Sequence, residues 1–263
     1  MKQRASRLAE ITWPAMSASV RTGIKFAGFK LAWLACVVAA AAGQPQPARA
    51  APSPPERIAF DVFLNDRPIG SQQFELSQTS SGLRVESRAE FEVRVLGIKA
   101  FGYDHRNVEY WRGECLEQID SRTNSNGKLF EVSGRAAPEA FAVTSSGIER
   151  KLDRCVGGFA YWDKQRLLAR GRLLNPQTGE HVPVDTRPLG RGVVRIGQRN
   201  VAVERYALRG PQLDIEVAYA VGSDEWVALD TRVDGGRTLR YRRSDSSPPA
   251  ASQVPPQASS NGA

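Results

Sequence analysis

Few side chains in this sequence could do chemistry. The 263 residues include two histidines, His105 and His181. That count excludes a multi-histidine metal site, and neither HExxH nor paired Cys/His at zinc spacing occurs. No GxSxG elbow is present, so a conventional serine hydrolase lacks its signature. Gly190-Arg191-Gly192 has the glycine spacing of a nucleotide loop, but a strand-like run follows it rather than a helix. The three cysteines, Cys36, Cys115 and Cys155, include no CxxC pair, which argues against a thiol redox enzyme. His105 and Glu109 are the remaining acid–base candidates. Four residues apart on a strand they stand ~13 Å from each other, too far for a direct hydrogen bond. A catalytic dyad would need partners from another strand. Otherwise His105 is a buried histidine satisfied internally. No catalytic residue, metal or cofactor is therefore assigned.

Both residues belong to the stretch that organises the chain, Leu83 to Trp111. From 83 to 95 the odd positions are Leu, Val, Ser, Ala, Phe, Val and Val, and the even ones are Arg or Glu. Alternation of this kind is the period of a strand with one face in a core and one in water. Glu90 and Glu92 then lie on a solvated face among arginines. A second strand, Lys99 to Trp111, places Phe101, Tyr103, His105, Asn107, Glu109 and Trp111 on one face. With a Leu96-Gly97-Ile98 loop, Val93 faces Phe101, Phe91 faces Tyr103 and Ala89 faces His105, so the apolar face continues into a mixed aromatic and polar one.

The first fifty residues read as a signal peptide. Arg21, Lys25 and Lys30 precede an uncharged apolar run, Leu31 to Gly43, too short for the ~20 residues of a membrane span. Ala48-Arg49-Ala50 supplies the cleavage site, with Ala51 as the new N-terminus and Met1 or Met16 as the start of translation. Cys36 lies inside the run, but Trp33 and Leu34 suit a lipidation site poorly. Residues 1–50 carry seven Lys/Arg and one Glu, so the +8 of the whole chain falls to +2, with 29 basic and 27 acidic residues remaining. That balance does not suggest nucleic-acid binding. Its one cluster, Arg240, Arg242 and Arg243, reads as a solvated strand end. Two cysteines remain after cleavage. In an oxidising periplasm Cys115 and Cys155 are expected to form a disulfide, the alternative being two buried thiols.

The rest of the exported part alternates short strands and turns. Residues 51–56 are a Pro-rich linker, and 244–263 form a tail of Ser, Pro, Ala and Gln expected to be disordered. Between them 57–243 form a single β domain. Asn126-Gly127 has the residues of a type I′ hairpin, which sets Thr123 opposite Phe130. Ser145-Ser146-Gly147 joins Phe141–Thr144 to Ile148–Leu152. Gly157-Gly158 separates two halves, and residues 160–170 hold the only plausible helical turns. Later strands are expected at 181–184, 193–196, 201–208, 213–219, 226–233 and 238–241. The fold class is mainly β: a long antiparallel meander forming a curved sheet, half-barrel or partly closed barrel.

Several pieces resemble an uncharacterised periplasmic β-protein family of Proteobacteria, a domain of unknown function. They are Phe60-Asp61-Val62 through Ile69-Gly70, Gly102-Tyr103-Asp104-His105 through Glu109-Tyr110-Trp111, and Ser121-Arg122-Thr123 through Asn126-Gly127. Tyr161-Trp162, Arg205-Tyr206-Ala207-Leu208 and Glu225-Trp226-Val227 continue the likeness, which covers nearly all of 57–243. The resemblance implies a curved antiparallel sheet closing partly into a barrel, and no reaction. The chain departs from the pattern around Ala218-Tyr219-Ala220, where an expected tryptophan and acid are missing, so that edge carries no implied role.

Three function classes follow, in order. The first is noncatalytic binding of a lipid or other amphipathic ligand by Phe101, Tyr103, His105, Asn107, Glu109 and Trp111 inside a curved β cavity. The second is an envelope structural or protein-interaction module with a filled core, and the third is a hydrolase of unrecognised type. A cavity opening near Trp111 favours the first, and a closely packed interior favours the second. After signal cleavage no transmembrane segment is expected.

Overall fold

Alternating apolar positions become fifteen strands in the computed structural model, which describes residues 56–244 except 212, 234 and 235. The expected signal peptide, nearly all of the linker and the tail lie outside the described residues. The strands are β1 (Glu56–Leu64), β2 (Arg67–Thr79), β3 (Gly82–Val95), β4 (Ile98–Arg112), β5 (Cys115–Ser125), β6 (Lys128–Ala136), β7 (Phe141–Ser145) and β8 (Ile148–Leu152). After the short helix α1 (Lys164–Leu168) come β9 (Arg172–Leu174), β10 (His181–Pro183), β11 (Asp185–Ile196), β12 (Arg199–Gly210), β13 (Leu213–Ala220), β14 (Trp226–Val233) and β15 (Arg237–Arg243). Among the described residues no helix is long and apolar enough to cross a membrane.

Thirteen strands form one antiparallel sheet in the order β11-β12-β13-β14-β15-β1-β2-β3-β4-β5-β6-β7-β8. Two meanders are thus joined where the first and last strands pair, with Val62 opposite Tyr241 and Phe60 opposite Arg243. The sheet is open, with β11 and β8 at its edges, and curves so that one hydrophobic cluster collects Phe141 of β7, Trp111 of β4, Phe60 of β1, Trp226 of β14 and Leu208 of β12. Phe60 lies 4.0 Å centroid to centroid from Trp226.

The expected β3–β4 register holds from Leu83↔Trp111 to Val93↔Phe101. The turn differs. It is the two-residue Leu96-Gly97, closed by Val95↔Ile98, with the extra residue taken up as a bulge between Val93 and Arg94. Asn126-Gly127 forms the expected turn, with φ of 52° and 90°, and Thr123 opposes Phe130. Gly190-Arg191-Gly192 lies within β11, which is much longer than the expected 193–196. The cluster Arg240, Arg242 and Arg243 also needs correcting. All three are half-buried, Arg240 pairs with Asp66 and Arg242 with Asp230, so the strand end is held by ion pairs rather than solvated.

Residues 153–184, which include Gly157-Gly158, separate the two meanders in sequence, but they are more than a divider. They cross the concave face of the sheet as a plug. Its entry, Gly157-Gly158, is packed: a Cβ on Gly158 would stand 3.4 Å from Cζ2 of Trp111. Tyr161 stacks on Trp226 at 5.3 Å, and Trp162 meets Trp111 edge-on at 5.8 Å. Asp163 caps α1, its Oδ1 accepting from the Arg166 amide at 3.0 Å. Lys164 then reaches Glu204 at 2.8 Å and Asp224 at 2.7 Å, which fastens the helix to the β11–β14 side. β9 and β10 pair with each other, Leu174 of β9 also bridges Gly158, and Asp185 returns the chain to the sheet opposite Arg209.

Candidate functional site

The mixed face of β4 points into the concave side, as its alternation requires. His105, Asn107, Glu109 and Trp111 are buried, while Phe101 and Tyr103, nearer the turn, are half-buried. The six residues share a face but do not make one cavity. Two groups form instead.

The inner group is Asn107, Glu109 and Trp111. Glu109 accepts from Asn107 Nδ2 through Oε1 and from Trp111 Nε1 through Oε2, each at 2.8 Å. Both carboxyl oxygens are therefore occupied by side chains two positions away on the same strand. Burial pushes the Glu109 carboxyl above its ordinary range, and the two N–H donors pull it part of the way back. Trp111 is only 2% exposed beneath Gly158 and Trp162. The plug thus occupies the position at which a ligand cavity was expected.

The outer group is Tyr103, His105 and their partners. His105 Nδ1 lies 2.7 Å from Thr123 Oγ1, directly across the β4–β5 pair. Burial lowers the imidazole to about 4, so the ring is neutral at pH 7. The Tyr103 ring stacks on Phe91 at 5.2 Å, and its hydroxyl donates to Gln177 Oε1 of the plug at 3.0 Å. Burial holds the Tyr103 phenol well above its ordinary value. Beside this group Asn107 Oδ1 and Ser121 Oγ are buried without a hydrogen-bond partner, on residues that face each other across β4 and β5. With Ser87 opposite Asn107 on the other side, they form a buried row of small polar groups across β3, β4 and β5.

Thr123, Ser121, Ser87 and Gln177 were not among the sequence candidates. The first three were within reach, because the β3–β4 and β4–β5 registers place them across from His105 and Asn107. Gln177 arrives from the plug, and no local pattern points to it. Tyr219, at the edge without an implied role, is fully buried, and its hydroxyl donates to Tyr161 O at 3.0 Å. Two surface depressions lie on the opposite side of the sheet, lined in part by Arg106, Val108 and Asp120 and by Arg195, Arg205 and Glu216. Neither approaches Trp111.

The expected Cys115–Cys155 disulfide is present, with Cα atoms 4.9 Å apart. It joins the start of β5 to the start of the plug. Arg170 lies over it, donating to Cys155 O at 2.9 Å and to Glu114 O at 3.1 Å.

An open, half-barrel sheet filled by its own chain, with no assembled catalytic set on the face described above, defines a β-barrel-like protein. Residues 60–244 match the family described as Domain of unknown function (DUF6134), and the chain belongs to it. No curated protein matches. Among solved structures it is similar to a beta-barrel-like protein of domain of unknown function DUF1849 from Brucella abortus. The two share 12% identity at a TM-score of 0.52, over 72% of this chain and 95% of that one. At that identity the likeness is one of fold alone.

Proposed function

We propose that the protein is a noncatalytic module of the cell envelope, exported to the periplasm, that works through its outer surface. The observation that carries this reading is the plug. Residues 153–184 cover Trp111 and Trp226 and bond to Tyr103, Ser145 and Glu204. A lipid would have to displace this segment, which is tethered by a disulfide. The disulfide and the basic, apolar, Ala-x-Ala leader both fit an oxidising compartment.

A second reading has one observation in its favour. Asn107 Oδ1 and Ser121 Oγ are buried without protein partners. Buried polar groups are normally satisfied, so ordered water or one small polar guest between them would complete the row. The experiment is native mass spectrometry of protein recovered from the periplasm. The expected mass is that of a disulfide-bonded polypeptide beginning at Ala51. A retained lipid would overturn the filled-core reading, a small polar adduct would establish the second one, and an intact residue 1 or 16 would overturn export.

A further inference from the structure

Leu96 occupies a position that the backbone and the solvent both disfavour. Among the described residues five non-glycine residues have positive φ: Asn65, Leu96, Asn126, Ser146 and Asp224, all between 50° and 56°. Four carry short polar side chains, which tolerate the left-handed conformation by bonding locally. The fifth is a leucine, and it is 98% exposed. Asparagine performs the same turn at Asn126-Gly127 in the adjacent hairpin. The hairpin therefore does not need a leucine, and an apolar partner outside the fold would explain it.

The neighbouring turns repeat the arrangement. Ile98 closes the Leu96-Gly97 turn and is 74% exposed. Leu129 follows Asn126-Gly127, and Ile148 follows Ser146-Gly147. In an antiparallel meander, alternate turns lie at one end of the sheet. Among the described residues, four of the seven exposed large hydrophobics thus fall on three successive hairpin tips at one end, instead of being scattered. The register also aligns them. Tyr103 pairs with Ser125, so β4 runs five residues past β5, and Val132 pairs with Ser145, so β6 runs four residues past β7. At ~3.3 Å per residue the tips step down by ~16 and ~13 Å for each ~10 Å moved across the sheet. Similar steps in one direction put the tips on an oblique line, the rim expected of tilted barrel strands.

We infer that this rim docks the protein on a bilayer containing anionic phospholipid, with Leu96, Ile98, Leu129 and Ile148 entering the headgroup layer. The inference rests on the reading that the protein works through its surface. Charge favours this occupant: residues 92–100, 126–130 and 146–150 hold Arg94, Lys99, Lys128 and Arg150 against Glu92 and Glu149, a net of +2. Shape favours it as well. Separate apolar points on a projecting rim suit a fluid interface, whereas a protein partner needs a contiguous patch of roughly 800 Å².

The test is co-sedimentation of the chain from Ala51 with vesicles. That chain contains every strand, both bonded cysteines and the whole core. Vesicles of phosphatidylcholine with phosphatidylglycerol are compared with phosphatidylcholine alone. The variant L96N/I98T restores to the turn the residue its sister turn uses, so its melting temperature should be at or above that of the wild type. The expected result is binding to the anionic vesicles, weakened at least tenfold in the variant and several-fold by 0.5 M salt. Equal binding by variant and wild type, equal binding to both vesicle types, or no wild-type binding overturns the proposal. The last outcome leaves a protein as the partner of the tips. None of these outcomes bears on whether the interior is empty of lipid, which native mass spectrometry decides separately.

Discussion

His105 should make the protein acid-labile in a way that one substitution removes. The imidazole is held at about 4, against an ordinary 6.5, chiefly because burial disfavours its charged form. Its folded-state value is depressed, so the unfolded chain binds the proton more readily. Stability from this group is complete above pH ~6.5 and is lost as pH falls toward 4. At ~1.4 kcal/mol per pH unit the loss is about 3 kcal/mol, a large share of a domain's usual 5–15 kcal/mol. In His105→Gln the titrating ring is gone. The variant should be less stable at pH 7, where it gives up the stack on Tyr103 and the Thr123 bond, yet should lose about 3 kcal/mol less than wild type between pH 7 and 4. Urea unfolding at pH 4, 5, 6 and 7 measures both slopes, and carboxylates elsewhere contribute equally to the two proteins. Parallel pH profiles would refute the reasoning, because the ring would then have to carry a proton in the folded state as easily as in the unfolded one.

Glu109 carries the opposite sign: its folded-state value is raised by burial, so its contribution is full below pH ~4.3 and falls as pH rises through the folded value. Glu109→Gln should remove that fall, which the same urea series reads as a shallower decline on the alkaline side. Gly179 has φ of +70°, and a Cβ there would lie 2.6 Å from the Ser145 Cβ. Gly179→Ala should therefore unseat the plug turn and cost about 1–3 kcal/mol in chemical denaturation. Replacing both Cys115 and Cys155 by serine opens a link across a sequence separation of 40. The double variant should lose up to about 4 kcal/mol, seen as a lower unfolding midpoint with no change in the wild type on adding a thiol-blocking reagent.

The β3–β4 pair was legible because its sequence states one register. Thirteen residues of strict alternation leave no second way to bury Val85, Ala89 and Phe91. The turn was misread for the reason that makes it interesting: a leucine at positive φ is not what turn chemistry predicts. β11 was shortened because Pro188, Gly190 and Gly192 look like a loop. As an edge strand it can accommodate a proline, and the register shift between Pro188 and Gly190 takes up the irregularity. The plug's path was beyond reach. Its helical turn within 160–170 and its strand from His181 were legible, but where residues 153–184 run is set by contacts with Trp111, Trp226 and Glu204 that are distant in sequence. For the same reason the six candidate residues were placed correctly on one face, while what covers them was not foreseen.

The pairing of β1 with β15 has a consequence for synthesis. β1 is one of the earliest strands to be made, yet one of its sides stays without a partner until residues 237–243 exist. That temporary edge exposes Ile58, Phe60 and Val62 in alternation and contains no proline, unlike the permanent edge at β11. The protective features of the finished sheet are therefore absent from its most vulnerable intermediate. Joining strands ~180 residues apart also gives a high contact order, which slows completion. A chain that crosses a membrane N-terminus first would present this edge for the whole of its passage, and its yield should depend on how quickly the last strand arrives.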